Sequence, residues 1–291
     1  MGHSAWARSA AARSIFAQAD DALGYALSTL CFEGPDDVLR QTDKQQPAIL
    51  ACSLAILAAH DEEQGPFDAV AATGHSLGLY TALVAASVLD LDVALMLVAA
   101  RGALMQKSAE ARSGGMAAVL GLDDAAVEAA CSEASAAAPE DDPVVPANYN
   151  APGQVVISGG GAALEKATTL LKARGARKVV ALAVAGAFHS PLMWDAAREL
   201  APLLEEARLR EPAYPVYANS RPQAMTGADE VRAELLRQVL APVRWSYAVA
   251  ALAATGTVSS YVDCGPSATL AALQKRITPS AAIVTLDGRG L

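Results

Sequence analysis

Between Gly74 and Tyr80 the chain reads Gly-His-Ser-Leu-Gly-Leu-Tyr, the Gly-x-Ser-x-Gly spacing in which a strand turns sharply into a helix and presents a serine hydroxyl at the bend. Ser76 is the nucleophile candidate. Phe67 to Thr73 before it reads as a short apolar strand, and Tyr80 to Leu89 after it as an Ala- and Leu-rich helix. Gly74 and Gly78 supply the small residues that a tight bend needs. The bend sets Ser76 beside the first N–H groups of that helix, where the positive dipole end favours developing negative charge, and the Leu77 N–H is the nearest oxyanion donor.

A serine hydroxyl needs a base, and His3, His60, His75 and His189 are the only histidines. His75 adjoins the serine, but the bend should aim its ring elsewhere. His189, in Ala-Gly-Ala-Phe-His-Ser-Pro, lies just past a strand and just before the helix predicted from Leu192 to Leu204, a position from which a side chain can face a cleft. Arg101 falls inside the helix predicted from Leu91 to Arg112, with Val98 and Met105 at i−3 and i+4. From spacing alone it reads as an arginine that snorkels to the surface, because an unpaired buried guanidinium is expensive.

The elements around these residues alternate. Ser4 to Ser28 reads as one or two helices, and Cys31 to Asp43 as a loop with a short helical piece. Gln46-Pro47 then opens an apolar helix from Ala48 to His60, with the proline in a first-turn position. From Met116 to Val184 the order is strand, helix, two strands around an Ala-Pro-Gly turn, helix and strand, the β-α-β-β-α-β pattern of a ferredoxin-like unit. Beyond it, a strand at Tyr214 to Asn219, a strand ending in a turn over Tyr261 to Pro266, and a last strand at Ala282 to Leu286 alternate with helices. The fold class expected is therefore α/β: a hydrolase-like, mostly parallel sheet core over residues 1–114 and 185–291, with the ferredoxin-like small domain inserted at 115–184.

Composition narrows the function. The 291 residues are 53% hydrophobic and carry 22 Lys plus Arg against 31 Asp plus Glu, a net charge of −9 that gives nucleic-acid binding little electrostatic support. Cys31, Cys52, Cys131 and Cys264 are scattered without metal-site or disulfide spacing, as expected of reduced thiols in a cytoplasmic protein. The longest apolar run, Ala48 to Ala59, is too short for a bilayer, and no metal or redox cofactor is indicated.

An ordinary α/β-hydrolase places its histidine late in the chain, whereas here a long C-terminal portion follows His189. The whole set of motifs instead resembles the malonyl-CoA:acyl carrier protein transacylases and the acyltransferase domains of polyketide synthases. The resemblance rests on Gln46-Pro47-Ala48, Gly74 to Gly78 with Tyr80, Arg101 to Gln106, Asn148 to Gly159, Phe188 to Met193, and Gly265-Pro266, in that order. It implies that Ser76 takes a malonyl group from malonyl-CoA as an ester and that His189 accepts the serine proton, later activating the phosphopantetheine thiol of an acyl carrier protein. It also implies that the backbone carbonyl of Gln238 orients His189 and that Arg101 pairs with the free carboxylate of malonate. Gln46, His75, Met105 and Asn148 would line or brace the cleft. Phe188 would leave little room for a 2-methyl branch.

Acyl carrier proteins are acidic, so docking calls for a local basic patch. Lys172, Arg174, Arg177 and Lys178 form one candidate, and Lys275 with Arg276 a second. Leu79 stands where the family often has Glu. The resemblance begins downstream of the family's opening Gly-Gln-Gly-Ser-Gln loop, which supplies a second oxyanion donor worth about 3 kcal/mol in comparable sites. Two alternatives follow: a hydrolase of the same fold that removes stalled acyl groups from carrier proteins, and an impaired homologue that binds carrier protein without turnover.

Overall fold

The computed structural model describes residues 1–286. Its first third is helical: α1 (His3–Arg8), α2 (Ala10–Leu23), α3 (Leu27–Glu33), α4 (Asp36–Leu39) and α5 (Thr42–Gln64) precede the two-residue β1 (Ala72–Thr73), and α6 (Gly78–Ala85) and α7 (Leu91–Ala111) follow it. A small sheet unit comes next, with β2 (Gly114–Leu120), α8 (Asp124–Ala136), β3 (Val144–Ala151), β4 (Gln154–Gly160), α9 (Gly161–Ala173) and β5 (Lys178–Ala181). The chain then runs through α10 (Trp194–Glu206), β6 (Val216–Tyr217), β7 (Ala224–Met225), α11 (Ala228–Gln238), α12 (Trp245–Ala254), β8 (Ser260–Asp263), α13 (Thr269–Ile277) and β9 (Ala282–Thr285).

The small unit has the strand-helix order expected, and its four strands lie β3-β4-β2-β5 with every neighbouring pair antiparallel. β2 and β4 pair without a slip from Gly114↔Gly160 to Leu120↔Gln154. Alternation along these strands sends Ala117, Val119, Val155 and Ile157 to one face, where they pack with Val127 and Cys131 of α8 and Ala167 and Leu171 of α9.

The rest of the molecule departs from the expected continuous, mostly parallel sheet. β1 pairs β6 in parallel over two residues, β7 adds an antiparallel edge, and β8 and β9 form a separate parallel pair. The strands expected at Phe67–Thr73 and Tyr214–Asn219 shrink to Ala72–Thr73 and Val216–Tyr217. An apolar segment becomes a strand only where a neighbour supplies hydrogen bonds, and at Phe67 and Val70 the side chains are exposed. Helices dominate this region instead: α5 and α7 pack along each other, with Leu50, Ala51, Leu54, Ala55, Leu95 and Val98 among the buried residues of the main core.

Two local expectations are corrected. The stretch read as a loop from Cys31 begins inside α3, because Leu27, Leu30 and Cys31 share one buried face. α5 starts at Thr42 rather than Ala48, so Pro47 lies within the helix, beyond the first turn, and removes one backbone hydrogen bond there.

Candidate active site

The elbow forms because β1 ends against Gly74, the chain reverses through Ser76 in the left-handed region (φ 51°), and α6 starts at Gly78. The two glycines have different reasons. A Cβ on Gly74 would stand 2.0 Å from the Gly78 carbonyl carbon, so the bend closes only with glycine there, whereas a Cβ on Gly78 would meet nothing within 4 Å. Ser76 is a residue type that tolerates this backbone poorly, and such strain persists only where neighbours hold it.

They do. Ser76 N–H donates to Asn219 Oδ1 (2.9 Å), and Ser76 C=O accepts from Gln238 Nε2 (2.9 Å). The Leu77 N–H, at the mouth of α6, has no acceptor among the described residues and is free to serve an oxyanion.

Ser76 Oγ lies 2.8 Å from His189 Nε2. His189 is buried, and its own backbone is left-handed (φ 57°). On the far side of its ring, Nδ1 faces the carbonyl oxygens of Gln238 (2.9 Å) and Ala241 (3.2 Å). Two acceptors require the proton on Nδ1, which leaves the Nε2 lone pair to accept from Ser76. Burial, and next the nearby Arg101 charge, push the imidazole pKa down to about 3, so the ring is neutral at physiological pH.

Arg101 does not snorkel. It is 1% exposed, because α5 and α7 pack it into the cluster on the same face as Val98 and Met105. One terminal nitrogen donates to Gln46 Oε1, and the other to Ser76 Oγ at 3.0 Å and, more loosely, to Gln238 Oε1 at 3.4 Å. Gln46 in turn reaches Met105 Sδ (3.6 Å). The guanidinium lies 6.0 Å from the centre of the Tyr80 ring, its Nε has no partner, and no carboxylate pairs with it among the described residues. The result is a desolvated positive charge, its pKa lowered by burial, beside a serine hydroxyl.

The remaining candidates are placed as follows. His75 bonds through Nε2 to Asn150 Oδ1 (2.8 Å), and its ring tilts against Trp245. Asn148 is buried on β3, and its backbone bridges Val243. Phe188 packs half-buried at the seam between the main core and Met116, Ala147 and Val156 of the small sheet. Of the basic residues, Arg174 is tied to Glu133 (2.5 Å) and the Ala126 carbonyl, and Arg276 to Pro152 and Gln154 at the β3-β4 turn; Lys172, Arg177, Lys178 and Lys275 are exposed. Sequence reasoning missed Asn150, Asn219, Glu234 and the Ala241 carbonyl. Only Asn219 had a usable signal, its place at the end of an expected strand, where open α/β sheets gather site residues.

A cavity of about 750 Å³ borders the back of the elbow, walled by Ala72, Leu77, Gly78, Leu252 and Tyr261, and the Ser76, His189 and Arg101 side chains are not on it. No group of acidic, histidine and cysteine side chains suited to a metal ion occurs among the described residues, nor does any helix there have the length and apolarity to cross a membrane.

The acyl transferase domain family model matches residues 1–285. The chain belongs to the acyl transferase family. Within it, the chain is 42% identical over 262 residues to the malonyl CoA-acyl carrier protein transacylase of Haemophilus influenzae, covering 90% of this chain and 82% of that protein. Its fold superposes on the crystal structure of an acyl carrier protein S-malonyltransferase from Vibrio cholerae with a TM-score of 0.92 at 38% identity, covering 98% of this chain and 91% of the other. A malonyl-transacylase solved in complex with its type II polyketide synthase acyl carrier protein matches with a TM-score of 0.91 at 37% identity, over 96% of this chain and 89% of that one. For an acyl transferase, a serine, a neutral histidine with its lone pair on that serine, and a free helix-terminal N–H are the parts the chemistry requires.

Proposed function

We infer that this acyl transferase carries a malonyl group from malonyl-CoA to the phosphopantetheine thiol of an acyl carrier protein through an ester on Ser76. The observation that carries the reading is Arg101: a buried guanidinium without a carboxylate partner among the described residues, 3.0 Å from the nucleophile, is a site waiting for an anion that arrives with the substrate. Malonate's free carboxylate supplies it, and a neutral acyl group leaves the charge unsatisfied. The same argument disfavours an editing hydrolase for neutral chains.

In the first half-reaction the Ser76 hydroxyl passes its proton to His189 Nε2 while Oγ attacks the thioester carbonyl. The Leu77 N–H receives the resulting oxyanion, and collapse expels the coenzyme A thiolate, which takes the proton back from His189. In the second half-reaction the carrier thiol gives its proton to His189 and attacks the malonyl ester, and collapse expels Ser76 Oγ, which takes that proton back from His189 Nε2. The carbonyls of Gln238 and Ala241 stabilise the imidazolium in both halves. The bound carboxylate also offsets the Arg101 charge that depresses His189, so the histidine becomes a better base once malonyl is in place.

We read 115–184 as a ferredoxin-like insert in a larger hydrolase-like α/β body; the insert's own apolar core and its antiparallel β3-β4-β2-β5 order support that reading. Gln46 and Met105 brace Arg101, and Phe188 borders the acyl site. Four free cysteines suit a cytoplasmic setting. Intact mass after brief mixing with malonyl-CoA tests the reading. One malonyl adduct is expected, absent in Ser76→Ala and discharged by carrier protein. An adduct that decays equally fast without carrier protein would replace transfer by hydrolysis.

A further inference from the structure

Resting on the reading of Ser76 as nucleophile, we propose that Asn219, fixed in place by Glu234, is the positioning residue that holds the elbow in its reactive conformation. The Asn219 side chain is buried and touches the elbow twice: Oδ1 accepts from Ser76 N–H (2.9 Å), and Nδ2 donates to the Gly74 carbonyl (2.8 Å). One amide thus bridges the residues on both sides of His75 and spans the tightest part of the bend. Only a group with an acceptor and a donor side by side can do this, so the pattern selects an amide over a carboxylate or an apolar side chain.

A clamp is only as firm as its base. Asn219 follows β6, where pairing has already ended, and its backbone is secured from α11 instead. Glu234 Oε1 accepts from the N–H groups of Asn219 and Ser220, each at 2.8 Å, and Oε2 accepts from the Ser220 hydroxyl. One helical turn later Gln238 donates to the Ser76 carbonyl (2.9 Å) and to Asn219 Oδ1 (3.1 Å). A single face of α11 therefore fixes the elbow directly through Gln238 and indirectly through Glu234 and Asn219.

This arrangement has a chemical consequence. The Ser76 N–H is spent on Asn219 and is withheld from the oxyanion, while φ 51° at Ser76 keeps Oγ within reach of His189. Release of Asn219 would let the serine relax toward ordinary backbone angles and carry Oγ off the imidazole.

The test is the single-turnover rate of Ser76 modification, followed by intact mass with malonyl-CoA and, separately, with a fluorophosphonate that phosphonylates an activated serine and expels fluoride. Asn219→Ala is expected to lower the maximum rate with both reagents on the order of 10²-fold while half-saturating malonyl-CoA changes by less than about twofold and the pH profile keeps its shape. Loss of positioning gives that split, whereas a general loosening of the fold would also weaken binding. Asn219→Asp keeps an acceptor for Ser76 but sets an anionic oxygen against the Gly74 carbonyl, and is expected to be as slow as the alanine variant. Glu234→Gln, which leaves Asn219 in place, weakens the hold on the Asn219 and Ser220 N–H groups and removes the charge facing Arg237, is expected to lose roughly fivefold; it carries the test if Asn219→Ala does not fold. Folded Asn219→Ala reacting at the wild-type rate with both reagents overturns the proposal. Wild-type chain that takes the fluorophosphonate on Ser76 but no malonyl group removes the malonyl reading alone, and the fluorophosphonate rates of the variants then decide the proposal.

Discussion

The small sheet unit and the region around Ser76 achieve rigidity by opposite means. In the first, β2 and β4 pair over seven residues each and the backbone ladder does the holding. In the second, β1 and β6 pair over two residues, a cavity of about 750 Å³ lies behind them, and side chains hold the chain instead. The proposed chemistry sits in the second. A ladder spends every N–H and C=O on a neighbouring strand, whereas side-chain clamps can hold a strained residue such as Ser76 and still leave one N–H, that of Leu77, free for substrate.

The largest expected effect breaks the clamped region at its charge. Arg101→Ala removes the proposed partner of the substrate carboxylate and leaves Gln46 Oε1 without its donor. Malonyl-CoA kcat/KM is expected to fall about 10³-fold while that for acetyl-CoA changes little, so the preference between the two collapses. Equal losses for both substrates would mean that Arg101 only supports the elbow.

Hydrogen exchange sharpens the contrast directly. Amides of Ala117 and Ile157 in the ladder are expected to exchange on the order of 10²-fold more slowly than those of Val262 and Val284, whose strands have one neighbour each. Ser76, beside a short strand, should nevertheless match the ladder because Asn219 holds its N–H. Ser76 exchanging as fast as Val262 would show that the clamp is loose.

How much of this was legible follows the same division. The run of strands and helices and the Ala-Pro-Gly turn disclosed the element order of the ladder unit, because strand, turn and helix preferences are local. Ser76 and His189 were legible because a bend and its flanks are local too. Arg101 was legible as a type but misread as exposed, since its burial depends on α5 delivering Gln46 from 55 positions away. Glu234 had no signal: an acidic residue in an otherwise polar helix reads as solvated, and only the end of β6 gives its carboxylate the N–H groups to accept from. The strand lengths at 67–73 and 214–219 were overread because apolar sequence records burial and propensity, never the presence of a partner.

Burial in the clamped region also sets a pH signature. The His189 pKa falls from 6.5 to about 3 on folding. Between those values the unfolded chain binds a proton that the folded chain does not, so the contribution of His189 to stability is whole above about pH 6.5 and is lost as pH falls toward 3. Because kcat/KM reports the free enzyme, it is expected to change by less than about twofold from pH 7 to pH 5, where a histidine of ordinary pKa would lose about 25-fold. On the proposed pairing of malonate with Arg101, the acid limb of kcat should lie at higher pH than that of kcat/KM, because the bound carboxylate offsets the charge that depresses His189. Coincident limbs would separate Arg101 from the tuning of His189.

The smallest expected effect concerns the rim of the ladder-built unit. Arg174 is engaged by Glu133 and the Ala126 carbonyl, which leaves Lys172, Arg177 and Lys178 of that patch, the last two adjacent at the start of β5, as charges an acidic carrier protein could meet. Arg177→Glu with Lys178→Glu is expected to raise KM for carrier protein about threefold and spare malonyl-CoA, in the manner of rim charges that steer encounter more than they bind. Arg174→Glu should instead lower the melting temperature, since it sets two carboxylates together. If the double reversal raises the carrier-protein KM, the two regions divide the work, the ladder unit receiving the partner and the clamped region receiving its thiol. An unchanged KM would place both docking and chemistry on the clamped side, and the ladder unit would then serve only to carry Asn150 and the strand that bridges Val243.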